Sequence, residues 1–217
     1  MKQIEVGPMA NFVYFVGDSV TKEVLLVDPA WQIDTLMKIA AKEELKISGA
    51  LITHAHFDHC NGVEELLNHK NIPIYVQEEE VNFVRSLGKA ASIFGDFPEE
   101  HLKRVHPGDK ITVGSVEVTL IHTPGHTPGS QCFLIKNNLV SGDTLFIRGC
   151  GRSDLPGGNP ETLYNSLTQK LAKLPESTIL FPGHNYSGSA SSTLQEEKEK
   201  NPYLLCSSLD VFLSLVR

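Results

Sequence analysis

The stretch Thr53-His54-Ala55-His56-Phe57-Asp58-His59 decides how this chain is to be read. From His54 to His59 only Ala55 and Phe57 lack a metal-binding side chain. A lone His-x-His is common in cores and on surfaces. The full His-x-His-x-Asp-His concentrates more donors than packing requires, and imidazole with carboxylate suits zinc, iron or manganese. The stretch follows the apolar Ala50-Leu-Ile-Thr, which reads as a strand. A strand end that turns here would point His54 and His56 one way and Asp58 and His59 another, enough for two neighbouring ions.

Three further donors stand just past apolar segments. They are His126 in His122-Thr-Pro-Gly-His-Thr-Pro-Gly, Asp143 in Ser141-Gly-Asp-Thr, and His184 in Phe181-Pro-Gly-His. Donors at strand ends are held by rigid scaffold while their loops shape a pocket. Pro124-Gly125 turns the chain between His122 and His126, so His122 is expected to play a structural part or to support the site from outside. His69, His101 and His106 lie among charged residues and read as surface groups. Cys60, Cys132, Cys150 and Cys206 form no Cys-x-x-Cys pair and none joins the donor pattern, which disfavours a thiolate site and a disulfide framework.

The 217 residues suit one domain, 1–217, without repeats or a linker. With 41% hydrophobic and 21% charged residues the composition is that of a globular protein. Its 19 basic against 26 acidic side chains leave a charge of −7, which argues against nucleic-acid binding. No signal-peptide core and no run of membrane-spanning length occurs, so a cytoplasmic protein without membrane contact is expected.

Asn11–Gly17, Glu23–Val27, Val116–Ile121, Gln131–Ile135, Leu139–Val140 and Thr178–Phe181 read as strands. Gln32–Glu44, Gly62–Asn68, Glu78–Leu87, Pro160–Lys173, Ser192–Lys200 and Ser207–Val216 read as helices. Many strands with helices in both halves fit an α+β architecture of two packed sheets with helices outside.

The string His54-x-His56-x-Asp58-His59, with His126, Asp143 and His184 in order, resembles the metallo-β-lactamase superfamily. The resemblance runs from Asp28 to Asn201-Pro202-Tyr203. It implies a four-layer αββα sandwich with metals at one edge. His54, His56 and His126 would bind one ion and Asp58, His59 and His184 the other, with Asp143 bridging and Asp28 supporting. Two divalent ions are expected, zinc first, with iron or manganese as alternatives. Such a pair, about 3.5–4 Å apart, lowers the pKa of a shared water toward about 7, and Asp58 would orient that water or accept its remaining proton. The motifs supply no acid for a poor leaving group. A thiolate, whose parent pKa is about 8.5, needs least help, so thioester hydrolysis is the easiest chemistry.

The run Gly142-Asp143 to Arg148-Gly-Cys-Gly-Arg152-Ser-Asp154 is similar to the glyoxalase II-like hydrolases and to the persulfide dioxygenases. Both groups handle glutathione-derived substrates. Arg148 and Arg152 could meet a substrate carboxylate, or one of the two could pair internally with Asp154. Tyr186 and Tyr164 are candidates for the pocket or the core, and Cys150 reads as a packed residue. Glyoxalase II carries a helical C-terminal domain, whereas only a short tail follows His184. The Arg148–Arg152 run and Asn201-Pro202 resemble the dioxygenases, which would use one Fe(II) on His54, His126 and Asp143. Asp154-Leu-Pro-Gly-Gly and Pro182-Gly-His-Asn-Tyr186 resemble shorter hydrolases of the superfamily. The expected partner is a small thiol-derived substrate, and the expected assembly a homodimer.

Overall fold

Along β2 (Asn11–Gly17), Phe12, Tyr14 and Val16 enter one apolar cluster while Val13 and Phe15 enter another. The same alternation splits Leu25 and Val27 from Val24 and Leu26 in β3 (Glu23–Val27). A strand with period two that is apolar on both faces must be covered on both, which is why these runs read as continuously hydrophobic. The computed structural model describes residues 1–88, 93–95 and 97–216.

The first sheet has the order β1 (Lys2–Val6), β2, β3, β4 (Lys46–Leu51), β5 (Ile74–Gln77), β6 (Leu102–Val105). From β3 to β6 its neighbours are parallel, joined through α1 (Ile33–Lys42), α2 (Phe57–Cys60), α3 (Val63–His69) and α4 (Glu78–Leu87). The second sheet has the order β14 (Ser192–Thr193), β13 (Ile179–Pro182), β10 (Asn138–Gly142), β9 (Gln131–Ile135), β8 (Val116–His122), β7 (Lys110–Val113). A small hairpin pairs β11 (Leu145–Phe146) with β12 (Gly149–Cys150).

Three clusters give the layers. Ile33, Leu36, Val63, Leu66 and Val81 from the helices cover the outer face of the first sheet. Phe12, Tyr14, Leu51, Leu120, Phe133 and Val140 fill the space between the sheets. Leu163, Leu167, Leu171, Leu194 and Phe212 cover the second sheet from α5 (Pro160–Asn165), its continuation, α6 (Leu194–Lys200) and α7 (Leu209–Leu215). This is the expected αββα sandwich. None of the described helices is long and apolar enough to cross a membrane.

The expected helix 160–173 changes pitch. It is α-helical to Asn165, widens to a π-helix over Ser166–Lys170 and tightens to a 3₁₀ turn over Leu171–Lys173. Leu163, Leu167 and Leu171 recur every fourth residue, slightly more than one α-helical turn, and all are fully buried. Widening the turn offsets that drift and keeps them on one face.

At the end of the sandwich away from the histidines, Asp18 ties the β2–β3 turn to the β7–β8 turn. Its carboxylate accepts from Val20 N at 2.7 Å and from Ser115 N and Oγ, both at 2.7 Å. The bonds from Ser115 and Val20 hold its pKa well below the usual carboxylate range. A depressed pKa stabilises the fold above the unfolded value of about 3.9 and loses that contribution as pH falls below it. Asp18→Ala should therefore lower the melting temperature at pH 7, with a deficit that shrinks on acidification below about pH 4. Melting curves giving the same deficit at pH 7 and at pH 3.5 would assign Asp18 a role other than its charge.

Candidate metal centre

Every donor follows the end of a strand on the same edge of the sandwich. β4 stops at Leu51 before His54, β8 at His122 before His126, β10 at Gly142 before Asp143, and β13 at Pro182 before His184. The loop after β4 then turns into α2, carrying Asp58 and His59.

All seven donors are brought together, in two abutting sets. In the first, His126 Nε2 lies 2.9 Å from His56 Nδ1 and 3.2 Å from His54 Nε2. In the second, His59 Nε2 lies 3.0 Å from His184 Nε2 and 3.5 Å from Asp58 Oδ2, with His184 Nε2 3.3 Å from the same oxygen. Asp143 stands between them. Its Oδ1 is 3.2 Å from His59 Nε2, and its Oδ2 is 3.4 Å from His184 Nε2 and 3.8 Å from His126 Nε2. Gly183 makes this approach feasible, since a Cβ there would sit 2.3 Å from Asp143 Oδ1.

The residues fit divalent cations. Asp143 Oδ1 is buried without a well-formed hydrogen bond, its His59 Nε2 neighbour standing at 3.2 Å, and a carboxylate oxygen so placed suits a cation. The converging nitrogens leave their far sides occupied, which fixes each ring. His59 Nδ1 meets Asp28 Oδ2 at 2.9 Å, His126 Nδ1 the Arg152 carbonyl at 2.7 Å, His184 Nδ1 the Met9 carbonyl at 2.9 Å, and His54 Nδ1 the Thr53 hydroxyl at 3.1 Å. Such outer bonds set the tautomer that leaves a lone pair for a metal. His56 differs: its Nε2 is buried without a partner, and its ring stacks on Phe94 with centroids 4.9 Å apart.

Electrostatics divide the sets. Burial lowers the pKa values of His54 and His126 and takes that of His56 down to about 3, so the first set presents neutral imidazoles. Burial opposes charge on His184 too, but the bond and charge of Asp143 hold its pKa up to about 9. Asp143 and Asp58 are also desolvated, yet the charge of His59 and bonds from His184 keep both ionised. Ionised carboxylates and neutral imidazoles are the forms that bind metal.

Supporting groups surround the donors. Asp28 accepts from Thr53 N at 2.7 Å and Thr53 Oγ1 at 2.6 Å as well as from His59. Asn11 Nδ2 donates to Asp58 Oδ2 at 2.9 Å and to its carbonyl at 3.0 Å. Asn11 and the buried Glu80 carry no sequence mark of a supporting role. Asn11 opens an apolar strand, and Glu80 ends a run of three glutamates that looks like a solvated helix start. His122 is outside the cluster, its Nε2 donating to the Pro128 carbonyl at 2.9 Å. His69 and His106 are on the surface beside Asp34 and Glu78. His101 is half-buried against the Ile72 carbonyl.

Two cavities open on the donors and share His126, Asp143, Arg152 and Tyr186. One, of about 650 Å³, adds Phe146, Ile147, Arg148 and Cys150; the other, of about 350 Å³, adds Met9, Trp31, Phe57, Ile93 and Leu155. Tyr186 stacks on His184 with centroids 4.6 Å apart. Tyr164 instead packs against Phe212 in the outer layer. The arginines are already engaged. Arg152 forks both oxygens of Asp154 at 2.7 Å, and Arg148 Nη1 donates to Glu197 Oε1 at 2.8 Å and to the Glu196 carbonyl at 2.9 Å. Burial pushes the Cys150 thiol up to about 12, which leaves it protonated and no nucleophile at neutral pH.

A family model described as Metallo-beta-lactamase superfamily matches residues 6–184. The "Probable metallo-hydrolase YqgX" of Bacillus subtilis is 33% identical over 212 residues, covering 94% of this chain and 96% of that protein. Among solved structures, ETHE1 from Myxococcus xanthus superposes with a TM-score of 0.86 at 28% identity, over 99% of this chain and 88% of its own. TTHA1623 in a di-iron-bound form superposes with a TM-score of 0.80 at 29% identity, over 94% of this chain and 100% of its own.

Proposed function

Because the chain belongs to the metallo-β-lactamase superfamily, and its donors form two abutting sets, we propose that it is a metal-dependent hydrolase cleaving a thioester of a small thiol, such as a glutathione derivative. The observation that carries this reading is Asp143, which stands between the two sets with nitrogens of both within 4 Å of its carboxylate. His54, His56 and His126 would hold one divalent cation, Asp58, His59 and His184 the other, with Asp143 shared. Zinc suits the imidazole and carboxylate donors, and a relative solved in di-iron form keeps iron as the alternative. When bound, such a pair supplies a hydroxide at neutral pH and polarises a carbonyl.

The chain's own residues do the rest. Asn11 Nδ2, donating to both the Asp58 carbonyl and the Asp58 carboxylate, fixes that carboxylate, so that it is positioned to take the proton left on the attacking water. The two cavities that open on the donors leave room for an acyl group in one and a thiol in the other. A thiolate departs without a protonating acid, so a thioester asks the least of the chain's own residues.

A second reading, a mono-iron persulfide dioxygenase using His54, His126 and Asp143, is favoured by one arrangement. Asn201 Nδ2 donates to the carbonyls of Phe146 at 3.1 Å and Gly149 at 3.0 Å. The two stretches that resemble the dioxygenases, Arg148–Arg152 and Asn201-Pro202, are thus one unit.

Metal analysis of protein purified without added metal, with steady-state kinetics on S-lactoylglutathione and glutathione persulfide, separates the two. Thiol release without oxygen uptake supports the hydrolase, oxygen uptake with sulfite formation the dioxygenase. No turnover of either by metal-replete protein removes glutathione derivatives. Arg152 lies on both cavities in an exposed pair, so its remaining donors are the better placed for an anionic substrate group. Arg152→Gln is expected to raise KM about tenfold with little change in kcat, the cost of one charge-assisted bond made equally in ground and transition states. An unchanged KM would remove Arg152 from substrate binding.

A further inference from the structure

Glu80 is a fully buried carboxylate in the first turn of α4, and nothing in the reaction outlined above uses it. Its two oxygens face two different loops. Oε1 accepts from Ala55 N at 2.7 Å, and Ala55 is the residue between His54 and His56. Oε2 accepts from Thr127 Oγ1 at 2.7 Å and from Gly129 N at 2.8 Å, in the turn that carries His126. That turn lies directly on the start of α4. A Cβ on Gly129 would come within 2.3 Å of Glu80 N and Cβ, so only glycine lets the two segments meet.

The connectivity is selective. The two loops held by Glu80 carry His54, His56 and His126, which come from different sheets and make up the first donor set. The second set has separate supports, with His59 on Asp28, His184 on the Met9 carbonyl and Asp58 on Asn11. We propose that Glu80 is the positioning residue of the three-histidine set, fixing the distance between the His54–His56 loop and the His126 turn so that their nitrogens converge on one cation. This rests on the metal-centre reading above and adds to it a residue that touches neither metal nor substrate.

A carboxylate suits the task because it accepts at both ends. In Glu80→Gln the amide would keep the shape and one acceptor. Its NH₂ would then face either Ala55 N–H or Gly129 N–H, leaving one backbone donor of the clamp unpaired. Loss of an outer partner of this kind lowers metal affinity about 10–100-fold.

The test is titration of metal-stripped protein with Co(II), followed by visible absorption, with Glu80→Gln introduced into His184→Ala and His126→Ala backgrounds. The first background retains the three-histidine set and the second disables it. Glu80→Gln should weaken Co(II) binding tenfold or more in the His184→Ala background and less than twofold in the His126→Ala background. Similar losses in both, or no loss in the first, overturn the proposal. Should either background take up no Co(II), the two steps of the otherwise unmodified chain decide it: one weakened and one kept supports selectivity, and any other pattern refutes it. Should Glu80→Gln fail to fold, Thr127→Val removes one donor and leaves the carboxylate and both amides in place. A selective loss of threefold or more in that variant supports the clamp, and its absence overturns it. An unaltered chain that binds no Co(II) would instead sink the metallo-hydrolase reading, a result distinct from any effect of Glu80.

Discussion

Asp143→Ala is expected to lose bound metal and turnover together, by more than about 100-fold in activity, exceeding the 10–100-fold typical of outer partners. The reason is position. Among the described residues Asp143 is the one carboxylate within 4 Å of nitrogens from both sets, and it offsets the charge that two cations would bring to a buried site. Removing it would also leave His59 and His184, both held in a charge-favouring environment by Asp143, to repel each other 3.0 Å apart. Elemental analysis beside initial rates measures both effects. A variant retaining full metal content and normal rates would take Asp143 out of the centre. His122→Ala is the matched control, since the His122 ring meets the Pro128 carbonyl and, at 3.8 Å, the Glu79 carboxylate rather than any donor, and its rate should stay within about twofold of the unaltered chain, as expected when no donor or its partner is touched.

Phe133→Ala should be the most damaging of the single core truncations between the sheets. Phe133 is fully buried at the middle of β9, paired across the ladder with Leu120 and Val140. Deleting a buried phenyl ring costs about 3–5 kcal/mol, because the surroundings close only part of the cavity. Against a total stability of about 5–15 kcal/mol this is a large fraction. At about 2–4 °C per kcal/mol for a chain of this size, melting should fall by roughly 6–20 °C. Phe133→Leu keeps most of the volume and should fall distinctly less. Equal losses for the two variants would show that ring volume is not what holds the sheets.

The donors were legible because their chemistry is dense: four binding side chains between His54 and His59, then single donors set off by proline and glycine. The sandwich was legible where strands are buried on both faces, as in Asn11–Gly17 and Gln131–Ile135. It was obscure where strands are short or half solvated. Leu102-Lys-Arg-Val and Lys110-Ile-Thr-Val lie at sheet edges and carry charges that mask their pairing, and Ile74-Tyr-Val-Gln is too short to show a period. The pitch change after Asn165 depends on packing against the second sheet, which no local pattern encodes. Glu80 was hidden by its neighbours Glu78 and Glu79, since only the folded chain distinguishes the glutamate that turns inward. Arg148 and Arg152 were visible as residue types, but their pairing partners Glu197 and Asp154 depend on the return of α6 and on loop conformation.

Each donor set draws from both sheets: His54, His56, Asp58 and His59 follow strand β4 of one, while His126 and His184 follow strands β8 and β13 of the other. A cation in either set is therefore a rivet through the seam of the sandwich, and Asp18 is a stitch at the opposite end of the same seam. Sliding one sheet past the other by an ångström or so would open both sets at once, so the alignment of the two layers and the occupancy of the centre are one equilibrium. A cation at 100 times its dissociation constant would add about 2.7 kcal/mol to that alignment. The layers that would hold a cation would in turn be held by it.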